Sequence, residues 1–213
     1  EDGAVIESVL IPEEDRNTLC VSSQVGCAMG CTFCLTGAMG FRRNLTTAEI
    51  VNQVCAVRDW MRKEARTPLT NIVFMGMGEP LANFDNLLDA ISILTEQRGL
   101  DFSNRRITVS TCGLVPKIDE LAKRHLQLTL SVSLHAPDNV TRSGMMPVND
   151  AFPLEQLIPA CRRYQKETGR RISFEYSMVR GVNDSDEMAQ KLANLIKGMG
   201  AHVNLIPINP VDG

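Results

Sequence analysis

No run of about 18 apolar residues occurs in the 213-residue chain, so no membrane-spanning helix is expected. No basic stretch followed by an apolar core opens it, so a secretory signal of the usual form is not expected. Charge of one sign is also missing. Twenty-two Lys and Arg against 25 Asp and Glu leave a net charge of −3, which gives no overall footprint for nucleic acid. Any nucleic-acid contact would therefore have to come from a local patch or from residues outside this chain. There is no internal repeat, low-complexity tract or linker. A disulfide framework is absent too: the cysteines number seven, an odd count, and three crowd into Cys27–Cys34. A reducing cytoplasm is the expected compartment. The chain opens on Glu1 rather than Met, so a piece of a longer protein is expected.

With 44% hydrophobic residues, the chain can bury a real core. Residues 4 to 11 read as a strand, 12 to 17 as a charged turn and 18 to 25 as a second strand, a possible hairpin. Thr46-Thr47-Ala48-Glu49 is a capping box, and Ile50, Val54, Val57 and Met61 follow on one helical face. Strands are predicted at 71–77, 106–111, 127–133, 171–179 and 201–206. Helices are predicted from Phe84 to Leu94, at 114–124, at 153–168 and after Ser185. Strand and helix alternate, which calls for a parallel sheet. Yet the strands are not apolar throughout, as a sheet buried on both faces requires. Thr129, Ser131, Ser133 and His135 share one face and oppose Leu128, Leu130, Val132 and Leu134; Thr108, Ser110 and Cys112, and likewise Ser173, Glu175 and Ser177, repeat the pattern. A curved sheet around a polar interior fits best. The expected fold is α/β, a partial (β/α)6 TIM-like barrel with a short N-terminal strand or hairpin. Residues 1–17 lead into it and 18–213 form a single core domain.

Cys27, Cys31 and Cys34 stand at C-x3-C-x2-C spacing on one loop. Three soft ligands can hold one metal centre. A closed zinc site or electron-transfer cluster takes four protein ligands, and no C-x2-C or His pair follows at short range. Three ligands imply one open position. The alternative is structural zinc completed by Cys20 or a histidine. The loop follows the first barrel strand, and β/α barrels carry chemistry on such loops. Gly76-Met77-Gly78-Glu79-Pro80 ends the next strand, where two glycines permit close backbone approach to a ligand and Glu79 can accept from an ammonium group. Ser110, Ser133 and His135 face the interior. Arg42-Arg43 and Arg105-Arg106 are candidate phosphate contacts. By itself, Glu7 reads as a solvent-facing strand residue, Cys20 as a small buried hydrophobe and Asn209 as a turn residue.

The three-cysteine loop resembles the signature of radical S-adenosylmethionine enzymes. Together with Thr18–Cys27, Gly76–Pro80 and Ser133-Leu134-His135-Ala136-Pro137, the chain resembles the RNA methyltransferases of that superfamily that act on adenine C2 in large-subunit ribosomal RNA and transfer RNA. The resemblance covers nearly the whole chain. It implies a radical-SAM type of barrel in which Cys27, Cys31 and Cys34 hold three irons of a [4Fe-4S] cluster, the fourth iron taking S-adenosyl-L-methionine. An electron from the cluster then cleaves the sulfonium to a 5′-deoxyadenosyl radical. Gly78, Glu79, Ser110, Ser133, Leu134, His135 and Asn209 are the implied cofactor contacts. Glu7 is the implied general base, a role that calls for burial to raise its pKa. Cys20 is the implied resolving thiol, which releases product from a methyl first carried on a second cysteine. In the family that cysteine lies downstream of the Asn209 motif, and Cys55, Cys112 and Cys161 do not match its position. The family's N-terminal accessory domain is not matched either. The expectation is a central catalytic core, monomeric, that binds both cofactors but does not transfer methyl alone, with ribosomal and transfer RNA as substrates and a flavodoxin-type protein as electron donor. The sister reaction at adenine C8 shares these motifs. A non-catalytic iron–sulfur or zinc module is the alternative outside enzymology.

Overall fold

The structure is a computed structural model, and it describes residues 2–208. An antiparallel hairpin opens it, β1 (Val9–Pro12) against β2 (Asn17–Cys20), with Val9 opposite Cys20. The predicted strand at 4–11 is shorter and later than its apolar run suggested. Glu7 therefore precedes the strand and stands exposed rather than buried. The predicted strand at 18–25 is two strands. After β2 the chain leaves the sheet and forms β3 (Gln24–Gly26); beyond the four-residue helix α1 (Leu35–Ala38) it returns as β4 (Phe41–Asn44), antiparallel to β3.

The main series follows: α2 (Thr47–Lys63), β5 (Asn71–Phe74), α3 (Phe84–Thr95), β6 (Ile107–Thr111), α4 (Val115–Ala122) and β7 (Thr129–Ser133). Then come α5 (Asn139–Met145), α6 (Val148–Ala151), α7 (Leu154–Thr168), β8 (Ile172–Met178), α8 (Asp186–Leu195) and β9 (His202–Pro207). The sheet order is β1-β2-β5-β6-β7-β8-β9, and every pairing after the hairpin is parallel. The expectation of a partial barrel with an N-terminal hairpin holds. Six parallel strands are present among the described residues, joined by helical crossovers.

The two faces of the sheet differ as the alternation predicts. Leu19, Ile72, Phe74, Ile107, Val109, Leu130, Val132, Ile172 and Phe174 are fully buried beneath the helices. Burial of each contributes about 1.5–3 kcal/mol. From the helices come Ile50 and Val54 of α2, Leu87 and Ile91 of α3, Ile118 of α4, and Leu157 and Tyr164 of α7. The capping box at α2 is present: Thr46 accepts from Glu49 N–H, and the Glu49 carboxylate accepts from Thr46 N–H. Arg43 also binds this carboxylate, and that pairing foremost pulls Glu49 down to about 2. On the other face the parallel register aligns polar residues in rows: Ser110 beside Ser131 beside Ser173, and Ser133 beside Glu175 beside Asn204.

The β3–β4 hairpin closes so tightly that Gly26, at φ +74°, has no room for a side chain: a Cβ there would stand 1.8 Å from Gly40 O. Gly40 itself, at φ +71°, faces open space. Gly40→Ala should cost only the left-handed conformation, about 1–2 kcal/mol. Gly26→Ala adds a backbone collision and should cost about 3 kcal/mol or more. Urea unfolding of both variants checks this; equal losses would show that the contact with Gly40 O does not matter.

Candidate active site

The segment that leaves β2 is held on every side. Val21 N–H donates to Val73 O (2.9 Å), and Val21 O accepts from Gly76 N–H (3.1 Å). Gln53 of α2 grips both backbone groups of Ser22, at 2.8 Å to N–H and 3.0 Å to C=O. The Ser22 hydroxyl donates to Glu7 O (2.7 Å) and accepts from Met77 N–H (2.9 Å). Asn83 donates to Ser23 O and Leu45 O. Gln24 accepts from Glu79 N–H (2.8 Å) and donates to Asn44 (2.7 Å), tying the Gly-Met-Gly-Glu turn to the β3–β4 hairpin.

These contacts revise the reading of the glycines. A Cβ on Gly76 would meet Ser22 Oγ at 2.7 Å, and one on Gly78 would meet Gln24 Cβ at 2.4 Å. The chain's own segments press against both glycines at the positions a side chain would take, so their smallness serves chain–chain approach, while both still line the cavity beneath the cysteine loop.

The cysteine loop runs between β3 and β4, where Cys27 N–H donates to Gly40 O (3.1 Å). Its middle docks on the end of α5 through Thr32 N–H to Met145 O (3.0 Å). The loop roofs a cavity of about 250 Å³ at the C-terminal ends of the strands. Cys27, Cys31 and Cys34 line it together with Gly78, Glu79, Ser110, Ser133 and His135. Thus eight of the expected site residues meet at one place. Leu134 does not line it: its side chain is fully buried in the core. Cys20 and Glu7 do not line it either. Cys20 is half-buried next to the Met75 backbone at its edge, with burial raising its thiol pKa. Asn209 lies outside the described residues. A cleft of about 530 Å³ at the opposite ends of the strands is lined by Arg58, Arg62, Arg66 and Arg106 but by no thiol. Arg105-Arg106 stands beside that cleft, remote from the cysteines; Arg43 is engaged by Asp2 and Glu49, and Arg42 by Asp2 alone.

Three polar wall residues, Glu79, His135 and Glu175, are held in place by hydrogen bonds to the protein. Glu79 is buried, and its carboxylate accepts from Leu81 N–H (3.0 Å) and Cys112 N–H (2.7 Å). Burial raises its pKa, and these backbone donors oppose the rise. His135 adopts a left-handed φ of +55°. Its Nδ1 accepts from Ser177 N–H (2.9 Å), and Asn183 donates to its carbonyl (2.6 Å). The proton therefore sits on Nε2. The ring meets Phe33 of the cysteine loop edge-on, 4.8 Å between centroids. Burial, helped by the Arg142 charge, lowers the His135 pKa to about 4. Glu175, also in the wall, accepts from Ser131 (2.6 Å) and Asn204 (2.7 Å).

All seven cysteines are free. Burial, then Cys34 and Cys27 in turn, push the Cys31 thiol up to about 11, so the three thiols of the loop feel one another. Among the described residues no three His, Cys, Asp or Glu side chains already converge as a metal-holding group. The donor set nonetheless fits a thiolate-held metal cluster: three free thiols on one short loop, lining one cavity.

Sequence reasoning missed several residues that build this site. Gln53 carried a visible mark, a polar residue on the same helical face as Ile50 and Val54. Cys112 and Glu175 were marked by strand alternation as facing the interior. Arg142, Asn149 and Asn183 carried no local mark, because their partners come from other segments.

The histidine gives a pH test. His135 is neutral in the fold, while an unfolded histidine protonates below about 6.5. Stability is thus full above pH 6.5 and is lost as pH falls toward 4, by roughly 3 kcal/mol at the limit. The raised Glu79 acts in the opposite direction, so the comparison must be between variants. Urea unfolding of wild type and His135→Asn at pH 7 and pH 5 should give a steeper acid loss in wild type; parallel losses would exclude His135 as the source.

The family model of the radical SAM superfamily matches residues 21–193. The dual-specificity RNA methyltransferase RlmN of Desulfotalea psychrophila is 56% identical over 218 aligned positions, covering 100% of this chain and 60% of that protein. Its counterpart in Syntrophobacter fumaroxidans is 54% identical, with 100% and 61% coverage. The crystal structure of a radical SAM methyltransferase from Sphaerobacter thermophilus superposes with a TM-score of 0.95 at 54% identity, covering 98% of this chain and 61% of that one. The chain thus spans about three fifths of the length of the curated relatives it matches. A thiol loop above a polar barrel interior, joined to a family match across most of the chain, leads to one conclusion: this chain belongs to the radical SAM superfamily.

Proposed function

We propose that this chain is the catalytic core of an RNA methyltransferase that acts on C2 of an adenine in large-subunit ribosomal RNA and in transfer RNA. The observation that carries the proposal is the meeting of Cys27, Cys31 and Cys34 with Gly78, Glu79, Ser110, Ser133 and His135 in one cavity. Identity of 56% to a dual-specificity RNA methyltransferase along the whole chain supports the same reaction.

The three thiols would hold a [4Fe-4S] cluster and leave one iron free for S-adenosyl-L-methionine. Bound together, the two groups supply a one-electron route to breaking an unreactive C–H bond. The protein's own part is to bind and orient. Glu79, with lone pairs left after its two backbone donors, would accept from the ammonium of the cofactor. His135, neutral and with its proton on Nε2, would donate rather than repel a cation. Ser110 and Ser133 would supply hydroxyls at the same level of the barrel. Cys20 and Glu7 would be the resolving thiol and the general base. Both lie on the hairpin edge at the cysteine end of the sheet, Glu7 tied by its carbonyl to Ser22 and Cys20 two residues before it. Because Glu7 is exposed, the RNA itself would have to supply its burial. Arg42, on β4 beside the cysteine loop, is the candidate phosphate contact. The RNA substrates, a flavodoxin-type electron donor and a monomeric cytoplasmic enzyme belong to the same proposal. No helix among the described residues is long and apolar enough to cross a membrane.

Anaerobic reconstitution with iron and sulfide should give about four irons per chain. With a one-electron reductant, S-adenosylmethionine should then be cleaved. Cys27→Ala, Cys31→Ala and Cys34→Ala should each abolish cleavage while the fold persists by circular dichroism. Tight binding of zinc with no uptake of iron would overturn the reading.

A further inference from the structure

Arg142 of α5 is the largest fully buried side chain among the described residues, with no exposure at all. Its guanidinium donates to Leu134 O (3.2 Å), Ser133 O (3.2 Å), Cys112 O (2.7 Å) and Asn149 Oδ1 (2.8 Å). All four acceptors are neutral. No carboxylate pairs with it among the described residues, whose ion pairs all lie elsewhere. Arginine stays charged in proteins, and a buried charge without a counter-charge is strongly unfavourable. Such a residue calls for an anion within reach.

The surroundings say where that anion belongs. The Cys112 carbonyl and the Ser133 carbonyl that bind the guanidinium come from residues that line the thiol cavity. The helix carrying Arg142 ends at Met145, whose carbonyl holds the cysteine loop at Thr32. Cys112 and Met145 belong to one buried cluster, and Cys31 and Phe33 of the cysteine loop pack against it. Two carboxylates join this network without touching the guanidinium: Glu79 accepts from Cys112 N–H while Arg142 bonds the same residue's C=O, and Asp150 is reached through Asn149 and Ser143.

We infer that Arg142 is a positioning residue whose fixed charge stabilises the reduced, more negative form of the thiolate-held cluster and so raises its reduction potential. The inference rests on the proposed function, because it needs a cluster on Cys27, Cys31 and Cys34. Three thiolates bring three negative charges to the loop. One electron from a low-potential reductant adds another, and a cation in a dry, hydrogen-bonded socket favours that state. The four hydrogen bonds fix the charge in place, so it does not have to reorganise when the electron arrives.

The test separates charge from hydrogen bonding. Arg142→Lys keeps the charge and loses most of the bonds. Arg142→Gln loses the charge. Asn149→Asp keeps Arg142 and sets a carboxylate 2.8 Å from its guanidinium, at the cost of the Asn149 amide's bonds to Asn139 and Ser143. Each protein is reconstituted anaerobically and its iron and sulfide are counted. The cluster is then titrated with dithionite and mediators and followed by electron paramagnetic resonance. At the wild-type midpoint, Arg142→Gln and Asn149→Asp should each show an about tenfold lower reduced-to-oxidised ratio, which for one electron is about 59 mV. Arg142→Lys should stay within about twofold of wild type. An unchanged midpoint in both Arg142→Gln and Asn149→Asp would overturn the inference, as would a lysine variant displaced as far as the glutamine one. If Arg142→Gln fails to take up iron, Asn149→Asp and Arg142→Lys decide. A wild-type protein that binds no cluster would instead be seen at the iron count, and would remove the proposed function before the question of Arg142 arises.

Discussion

Four hydrogen bonds on one residue, Ser22, set the position of everything chemical in this molecule. Its N–H and C=O are both held by Gln53, and its hydroxyl joins Glu7 to Met77. The chain must leave the sheet here, and backbone groups that leave a sheet inside a protein need new partners. The partners come from α2, from the segment before β1 and from the turn after β5. Those same bonds therefore fix the cysteine loop, the edge hairpin and the Gly-Met-Gly-Glu turn relative to one another. Gly76 is a consequence of this arrangement: Ser22 Oγ fills the place where its side chain would be.

A second anchor sits across the cavity. A left-handed conformation costs a non-glycine residue about 1–2 kcal/mol. At His135 two bonds offset it, from Ser177 to the ring and from Asn183 to the carbonyl. Asn183 is itself buried and also holds Ser177 O and Val179 N–H. Arg142 closes the same region from behind by joining the ends of β6 and β7 to α6. The two anchors meet through the loop, where Phe33 packs on His135 and Thr32 bonds Met145.

What is legible in the sequence is what is local. Alternation along β6, β7 and β8 reveals a sheet with one polar face, and helical spacing with the Thr46–Glu49 box reveals α2. Thiol spacing and the Gly-Met-Gly-Glu turn mark the site because each lies within one short stretch of chain. The short hairpin β3–β4 is not legible, because Phe-Arg-Arg-Asn has no alternation and its pairing is set by the loop it encloses. Nor are α5 and α6, whose seven and four residues are too short to show a helical period and are held by Arg142 and Asn149 as well as by the buried Met145 and Val148. The residues that shape the site bond across long separations: 31 positions for Gln53 to Ser22, 30 for Arg142 to Cys112, and 48 for Asn183 to His135. Such partners cannot be read from spacing. Glu7 shows the reverse error, where an apolar run suggests a strand that begins only at Val9.

The cavity walls and the thiols differ in one physical respect. Glu79 and Glu175 are held through both carboxylate oxygens and His135 through Nδ1, so their directions are set before a ligand arrives. Groups ordered in advance need not be ordered on binding, which is how a site gains strength from few contacts. The thiols have no such restraint. Their loop is tied at Cys27 and Thr32, but the side chains are half-buried and free, and among the described residues they do not converge as a single-ion site. A cluster does not need them to, because each thiolate takes a different iron. What metal ligands must do is lose their protons, and the free energy for that comes from the metal. The protein thus fixes the receiving surface in advance and leaves the deprotonation of the loop to what the three cysteines bind.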